Sequence, residues 1–212
     1  MMKKFLAQAL YVLVLIYAGF CHSAEVASSS KFLETEVITL LGSETRVLPE
    51  FELIDHHQTI LGKDRLSGKW NLMFFGFTNC PDVCPTTLSE MNNVVSRIPA
   101  KLRDEVKVYF VSVDPARDKP ESLAAYMSYF NPDFTAATAD LDKLKILTSA
   151  LGVSHKIKKK SEGDLAYTVD HSGYVVLIDP NVQYAGLFFS DRDSVEAVAR
   201  DLTSLITQNS VD

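Results

Sequence analysis

An α/β domain with a central mixed sheet flanked by helices is what the sequence predicts, and three observations carry it. Residues 71–77 (NLMFFGF) and 107–113 (KVYFVSV) are runs of strand length, apolar and rich in β-branched and aromatic side chains. Between them Leu88, Met91, Val95 and Ile98 recur at helical spacing. Residues 174–179 and 184–189 flank Pro180-Asn181, a turn signal suited to a hairpin.

Each element follows in order. The first two strands and the helix between them form a β-α-β unit, which implies parallel strands and a right-handed crossover. Leu123, Met127 and Phe130 repeat the helical spacing after Pro120, and Leu141, Leu144, Leu147 and Leu151 repeat it after Asp140. The last helix opens with Asp193 and Glu196 at the spacing of a capping box, then sets Val195, Val198, Leu202 and Leu205 on one face. A β-α-β unit, further helices, an inserted hairpin and a closing helix is the order of a thioredoxin-like domain.

The N-terminus reads differently. Lys3 and Lys4 precede an apolar run of about 16 residues, broken only by Gln8, and Ser23-Ala24 follows. A basic start, an apolar middle and a small-residue exit make an export signal. His22 is bulky for a cleavage site, and the run lies near the lower limit of roughly 17 residues for a spanning helix. Residues 1–24 are therefore a signal peptide or an N-terminal membrane anchor. Phe20 argues against lipidation of Cys21. Residues 25–45 read as a linker, with an apolar patch at 37–41, and residues 46–212 as the folded domain.

Without its leader the chain carries 19 basic and 27 acidic residues. That balance argues against nucleic acid as a partner, since phosphate binding needs a basic surface. It leaves membrane contact to the N-terminal segment. It also leaves Cys80 and Cys84 as one close pair in an exported domain. A disulfide closing so small a loop removes little chain entropy and contributes little stability. Redox or metal chemistry explains the pair better than stapling does.

The pair lies in Phe75-Gly76-Phe77-Thr78-Asn79-Cys80-Pro81-Asp82-Val83-Cys84-Pro85-Thr86-Thr87, where a buried strand passes to a helix. Sites of open α/β sheets form outside such carboxyl ends. Pro85 fits a first helical turn, which places Cys84 about at the N-cap, where orphan N–H groups and the helix dipole favour thiolate. Three residues separate the cysteines, one more than in a thioredoxin-type pair, so the sulfurs have room to open around an ion. Cys84-Pro85-Thr86 has the look of a peroxidase nucleophile, but that chemistry wants Thr and Pro where Pro81 and Phe77 stand.

Two thiolates alone make a thin site. Of the histidines outside the leader, His56 and His57 lie in a polar turn and His155 precedes the basic run 156–160, which reads as a solvated loop. His171, in Thr168-Val169-Asp170-His171-Ser172-Gly173, lies in a polar loop placed to approach the cysteines from across the domain. Spacing alone leaves it either a ligand or a hydrogen-bonded loop histidine. Two Cys and one His would suit Cu(I), Cu(II) or zinc, and a set of three leaves a position open.

These segments, together with Val111-Ser112-Val113-Asp114-Pro115, Arg117-Asp118, residues 126–132 (YMSYFNP) and Asp170-His171-Ser172, resemble the Sco/SenC family from about Leu48 to Ile206. The resemblance implies a thioredoxin-fold copper protein, periplasmic or tethered to the inner membrane, that helps load the dinuclear copper centre of cytochrome c oxidase. It makes Cys80 and Cys84 thiolate ligands and His171 the imidazole ligand. Asp170 becomes a neighbour that orients the loop or tunes the site. Implied partners are the copper-site subunit of the oxidase, other copper chaperones and thioredoxin-like reductants. Asn79 stands where relatives often carry His, and residues 135–139 lack their usual glycine-containing stretch, which bears on a surface used with partners. The leading expectation is a copper metallochaperone. A thiol–disulfide reductase that keeps a client's copper-site cysteines reduced, with no need of His171, is the alternative, and a copper-responsive sensor the third.

Overall fold

The computed structural model describes residues 35–44, 46–159 and 166–209; the predicted leader and the first part of the predicted linker lie outside them. Among the described residues no helix is long and apolar enough to cross a membrane. In chain order the strands and helices are β1 (Thr39–Leu40), β2 (Arg46–Val47), β3 (Leu53–Asp55), β4 (Ile60–Leu61), β5 (Trp70–Gly76), α1 (Val83–Arg97), β6 (Val106–Ser112), α2 (Pro120–Met127), β7 (Thr135–Thr138), α3 (Leu141–Ala150), β8 (His155–Lys158), β9 (Thr168–His171), β10 (Val175–Ile178), β11 (Gln183–Phe188) and α4 (Val195–Asn209).

Every residue of β5 is buried, which is why it reads as a continuous apolar run rather than an alternating one. Its side chains still alternate between two cores. Leu72 and Phe74 pack with Leu88, Met91 and Val94 of α1, Leu123 of α2 and Leu202 of α4. Met73 and Phe75 pack on the other face with Leu144 and Leu147 of α3 and with Leu53 and Leu61. Removing side chains of this size from water stabilises a fold by about 1.5–3 kcal/mol each.

The main sheet runs β1-β11-β10-β5-β6-β7-β3-β4, with β2 also on β11. β5, β6 and β7 are mutually parallel, and the remaining pairings are antiparallel. This is the predicted thioredoxin-like mixed sheet flanked by helices, and β8–β9 is a separate two-stranded hairpin inserted before β10.

Four local expectations are corrected. Residues 35–41 do not behave as linker: the buried Asp201 carboxylate accepts the N–H groups of Glu36, Val37 and Ile38 at 2.8, 2.9 and 3.0 Å. Ile38 then enters the core and β1 joins β11 against Gly186, where an added Cβ would meet Thr39 O at 2.5 Å. At the start of α4, Ser194 rather than Asp193 accepts the Ala197 N–H (3.1 Å); Asp193 instead accepts the Phe189 N–H, and Glu196 pairs with Arg97. The basic run is in part a strand, because Ile157 in β8 faces the core while its lysine neighbours face solvent. Residues 135–138 form β7 between β6 and β3, and three of the four are buried, so the missing glycine stretch is not a partner surface there.

Candidate metal centre

β5 ends at Gly76, and the chain turns through Cys80 into α1. Asp82 is the N-cap of α1 and Cys84 its second residue, two positions beyond the capping position expected for it. The difference matters chemically. Cys84 is fully buried, and that burial pushes its thiol well above the usual range. A backbone hydrogen bond at Phe77 works in the opposite direction, while Cys80 and Asp118 push it further up. The loss of solvation outweighs the helix terminus, and Cys84 stands in the metal-free protein as a thiol. The helix N-terminus acts on the other sulfur: the Cys84 N–H donates to Cys80 Sγ at 3.4 Å. Cys80 is half-buried, and both cysteines are free of disulfide.

Gly76 makes this packing possible. A Cβ on it would lie 2.6 Å from Cys84 Sγ and 2.8 Å from Phe110 Cε2. No side chain but hydrogen fits there.

Two buried carboxylates hold the loops around the sulfurs. Asp118 accepts the Thr78 N–H (2.9 Å), the Thr78 hydroxyl (2.5 Å) and the Ser112 hydroxyl (2.5 Å), fixing the chain two residues before Cys80. Asp114 receives Arg117 Nε (2.5 Å) and the Tyr167 hydroxyl (2.6 Å). The Arg117 guanidinium lies 3.7 Å from the centre of the Tyr167 ring and donates to Tyr167 O, so the loop after β6 is tied to the turn end of the β8–β9 hairpin, just before β9. Asp114, Arg117 and Asp118 were visible in the sequence, but nothing in their spacing told which loop each would hold.

The hairpin brings His171 to the cysteines. Its ring stands edge-on to Phe74 and Phe77, with centroids 5.8 and 5.9 Å away. Nδ1 lies 3.0 Å from Ser172 O, and the Nδ1–H tautomer assigned from this contact turns the Nε2 lone pair toward Cys84 Sγ, 3.6 Å away. The donor atoms of Cys80, Cys84 and His171 all lie within 4.8 Å of one another.

Among the described residues this is the one group of three or more such donors that could hold an ion. With bonds of about 2.0–2.3 Å, donors around a shared ion stand roughly 3.5–4 Å apart. The three atoms meet that spacing with small adjustments, and the set suits a soft or borderline ion.

Asp170 points elsewhere. It pairs with Lys158 on the exposed side of the hairpin. His56 accepts the Ala136 N–H at 3.0 Å and stacks on His57, away from the cysteines. His155 faces His171 in the hairpin register, and burial lowers its pKa.

Comparison with known proteins decides the family. The SCO1/SenC family matches residues 40–207. The chain belongs to the SCO1/SenC family. An SCO2-like protein of Rickettsia prowazekii is 38% identical over 146 residues, covering 69% of this chain and 71% of its own. The copper-bound structure of Bradyrhizobium japonicum ScoI is 33% identical with a TM-score of 0.66, covering 74% of this chain and 97% of ScoI. Copper-bound yeast Sco1 is 26% identical with a TM-score of 0.70, covering 76% of this chain and 89% of Sco1. SCO1/SenC membership thus agrees with the thioredoxin-like fold built up from the strands.

Proposed function

We propose that this SCO1/SenC protein is a copper metallochaperone, in which Cys80, Cys84 and His171 take one copper ion as cargo for the dinuclear copper centre of cytochrome c oxidase. The observation that carries the reading is the convergence of two thiol sulfurs and one imidazole Nε2 within 4.8 Å at the carboxyl end of β5. Copper in the ScoI and Sco1 relatives supports the choice of ion.

The chain's own residues divide the work. Cys80, half-buried, is the sulfur that faces an approaching donor or acceptor protein, and Cys84 closes the site from inside. His171 supplies a neutral nitrogen held by Ser172 O. Uptake displaces the Cys84 proton. Three protein donors leave a position through which a partner's ligand can enter, which suits transfer rather than storage. Exchange of the pair with a partner's disulfide, which is reduced to two thiols as Cys80 and Cys84 are oxidised to a disulfide, would remove both thiolates and release the cargo. The basic and apolar N-terminal segment supports a site of action outside the cytoplasm, with the domain periplasmic or tethered at the inner membrane.

The test is transfer. Copper-loaded protein is mixed with the copper-free soluble domain of the oxidase's copper subunit, and the visible absorption of the dinuclear centre is followed. Growth of that absorption with matching loss from the donor supports the reading. Thiol–disulfide exchange with the same domain, at a rate indifferent to His171→Ala and without copper transfer, would establish the reductase instead.

A further inference from the structure

His171 reaches the sulfurs on an element that the main sheet does not hold. β8 and β9 pair only with each other among the described residues, and an isolated hairpin is at best marginally stable in water. Side chains must therefore set its position. Tyr167, Val169 and His171 alternate with the exposed Thr168 and Asp170, so the three share the inward face of this stretch. Tyr167 and Val169 are buried in the core that also holds Leu144 and Leu147 of α3. Anchor and ligand lie on one face of one strand, so whatever fixes Tyr167 aims His171.

The loop after β6 fixes Tyr167 at three points. The Tyr167 hydroxyl donates to Asp114 Oδ1 at 2.6 Å, its carbonyl accepts from Arg117 Nη1 at 3.0 Å, and its ring centre lies 3.7 Å from Arg117 Cζ. Asp114 has no exposure to water, and its other oxygen accepts from Arg117 Nε at 2.5 Å, which closes the three residues into one ring of contacts. The Arg117 guanidinium also lies 5.6 Å from the centre of the Phe77 ring, and Phe77 meets His171 edge-on at 5.9 Å. The cysteine loop is held from the same place, because Asp118 binds Thr78. Ser112 Oγ joins the two carboxylates, accepting the Asp114 N–H at 3.1 Å and donating to Asp118 at 2.5 Å. One loop thus grips both limbs of the site.

We propose that Asp114, Arg117 and Tyr167 form a clamp that positions His171 for copper and so sets how much of the affinity the imidazole contributes. The three are positioning residues and none is a ligand. The inference rests on the copper-site reading above.

Tyr167→Phe keeps the ring and removes the hydroxyl. Cu(I) affinity is measured by chelator competition for the reduced wild type, Tyr167→Phe, His171→Ala and the double variant. Tyr167→Phe loses about five- to tenfold in affinity, and the same change costs less than about twofold in the His171→Ala background, where the clamp has no imidazole to place. Arg117→Lys keeps a cation for Asp114, loses the planar stacking on Tyr167, and follows the same pattern. In the copper-free protein, amide exchange at residues 168–172 rises about tenfold in Tyr167→Phe while that of α1 stays unchanged. Leu205→Ala, in the core beneath α4, lowers the melting temperature and leaves Cu(I) affinity at the wild-type level. Equal losses in both backgrounds, unchanged affinity or unchanged hairpin exchange in Tyr167→Phe, or a comparable loss in Leu205→Ala would overturn the clamp and leave the site reading standing. Failure of the wild type to bind copper would overturn the site reading and this inference with it.

Discussion

His171 Nε2 lies 3.6 Å from Cys84 Sγ, although 87 positions separate the two residues in the chain. Neither side chain reaches the other by its own local structure. Cys84 is set by the first turn of α1, and His171 by the end of a hairpin that Arg117 and Tyr167 tie to the loop after β6. The site is a product of tertiary packing on either side of one buried strand.

That packing has a narrow point at Gly76. Gly76→Ala puts a methyl group 2.6 Å from Cys84 Sγ and 2.8 Å from the Phe110 ring, and overpacking of this kind costs about 1–3 kcal/mol. The sulfur has to move, so copper affinity falls at least about tenfold for a displacement costing about 1.4 kcal/mol. Thermal unfolding and chelator competition on the same sample check both parts.

Asp118 holds three donors with no exposure to water. Asp118→Ala leaves the Thr78 N–H and two hydroxyls without their acceptor, and stability drops by about 2–4 kcal/mol. The loop carrying Cys80 loosens with it. Faster alkylation of Cys80 under native conditions reports the loosening separately from the loss of stability.

Copper binding depends on pH with a defined sign. Burial keeps Cys84 protonated through the neutral range, so uptake of copper must expel that proton. Affinity therefore tightens about tenfold per pH unit for this proton as pH rises from 6 to 8. Competition titrations across that range give the slope, and a flat profile would mean that Cys84 is not a ligand.

A second pH effect concerns the fold alone. Burial raises the Asp55 pKa, but hydrogen bonds from Arg65, Thr59 and His57 outweigh it and hold the carboxyl at about 2. The charged form is thus favoured in the folded state, and the stabilisation is complete above pH 4 and lost as pH falls from there toward 2. Asp55→Asn is less stable than wild type by about 2 kcal/mol at pH 7. The gap between the two proteins closes over that acid window in denaturant titrations.

The sequence carried the central elements because β5, β6, α1 and α4 are defined by local apolar pattern. The bounds of β5 and β6 lie within one residue of the runs that announced them, α1 begins two residues before the Pro85 expected in its first turn, and α4 runs four residues past its last apolar repeat at Leu205. β7 was not legible: Thr135-Ala136-Ala137-Thr138 has small side chains and becomes a strand only because β6 and β3 flank it. Likewise β1 depends on a carboxylate at Asp201 that no local pattern links to residues 36–38. The cysteine pair was legible from its spacing and its place after a strand. His171 was not legible from spacing, because what makes it converge on the sulfurs is a hairpin whose first strand reads as a run of lysines. The state of Cys84 was misread for a related reason, since helix position is local and burial is not.

The most direct test of the three-residue site is copper binding by the reduced protein against a competing chelator, for wild type and His171→Ala. Tight one-to-one binding by wild type that weakens at least about a hundredfold in the variant, some 2.7 kcal/mol, is the predicted result. Equal affinity for the two proteins would contradict the account and leave Cys80 and Cys84 as a thiol pair with no imidazole partner.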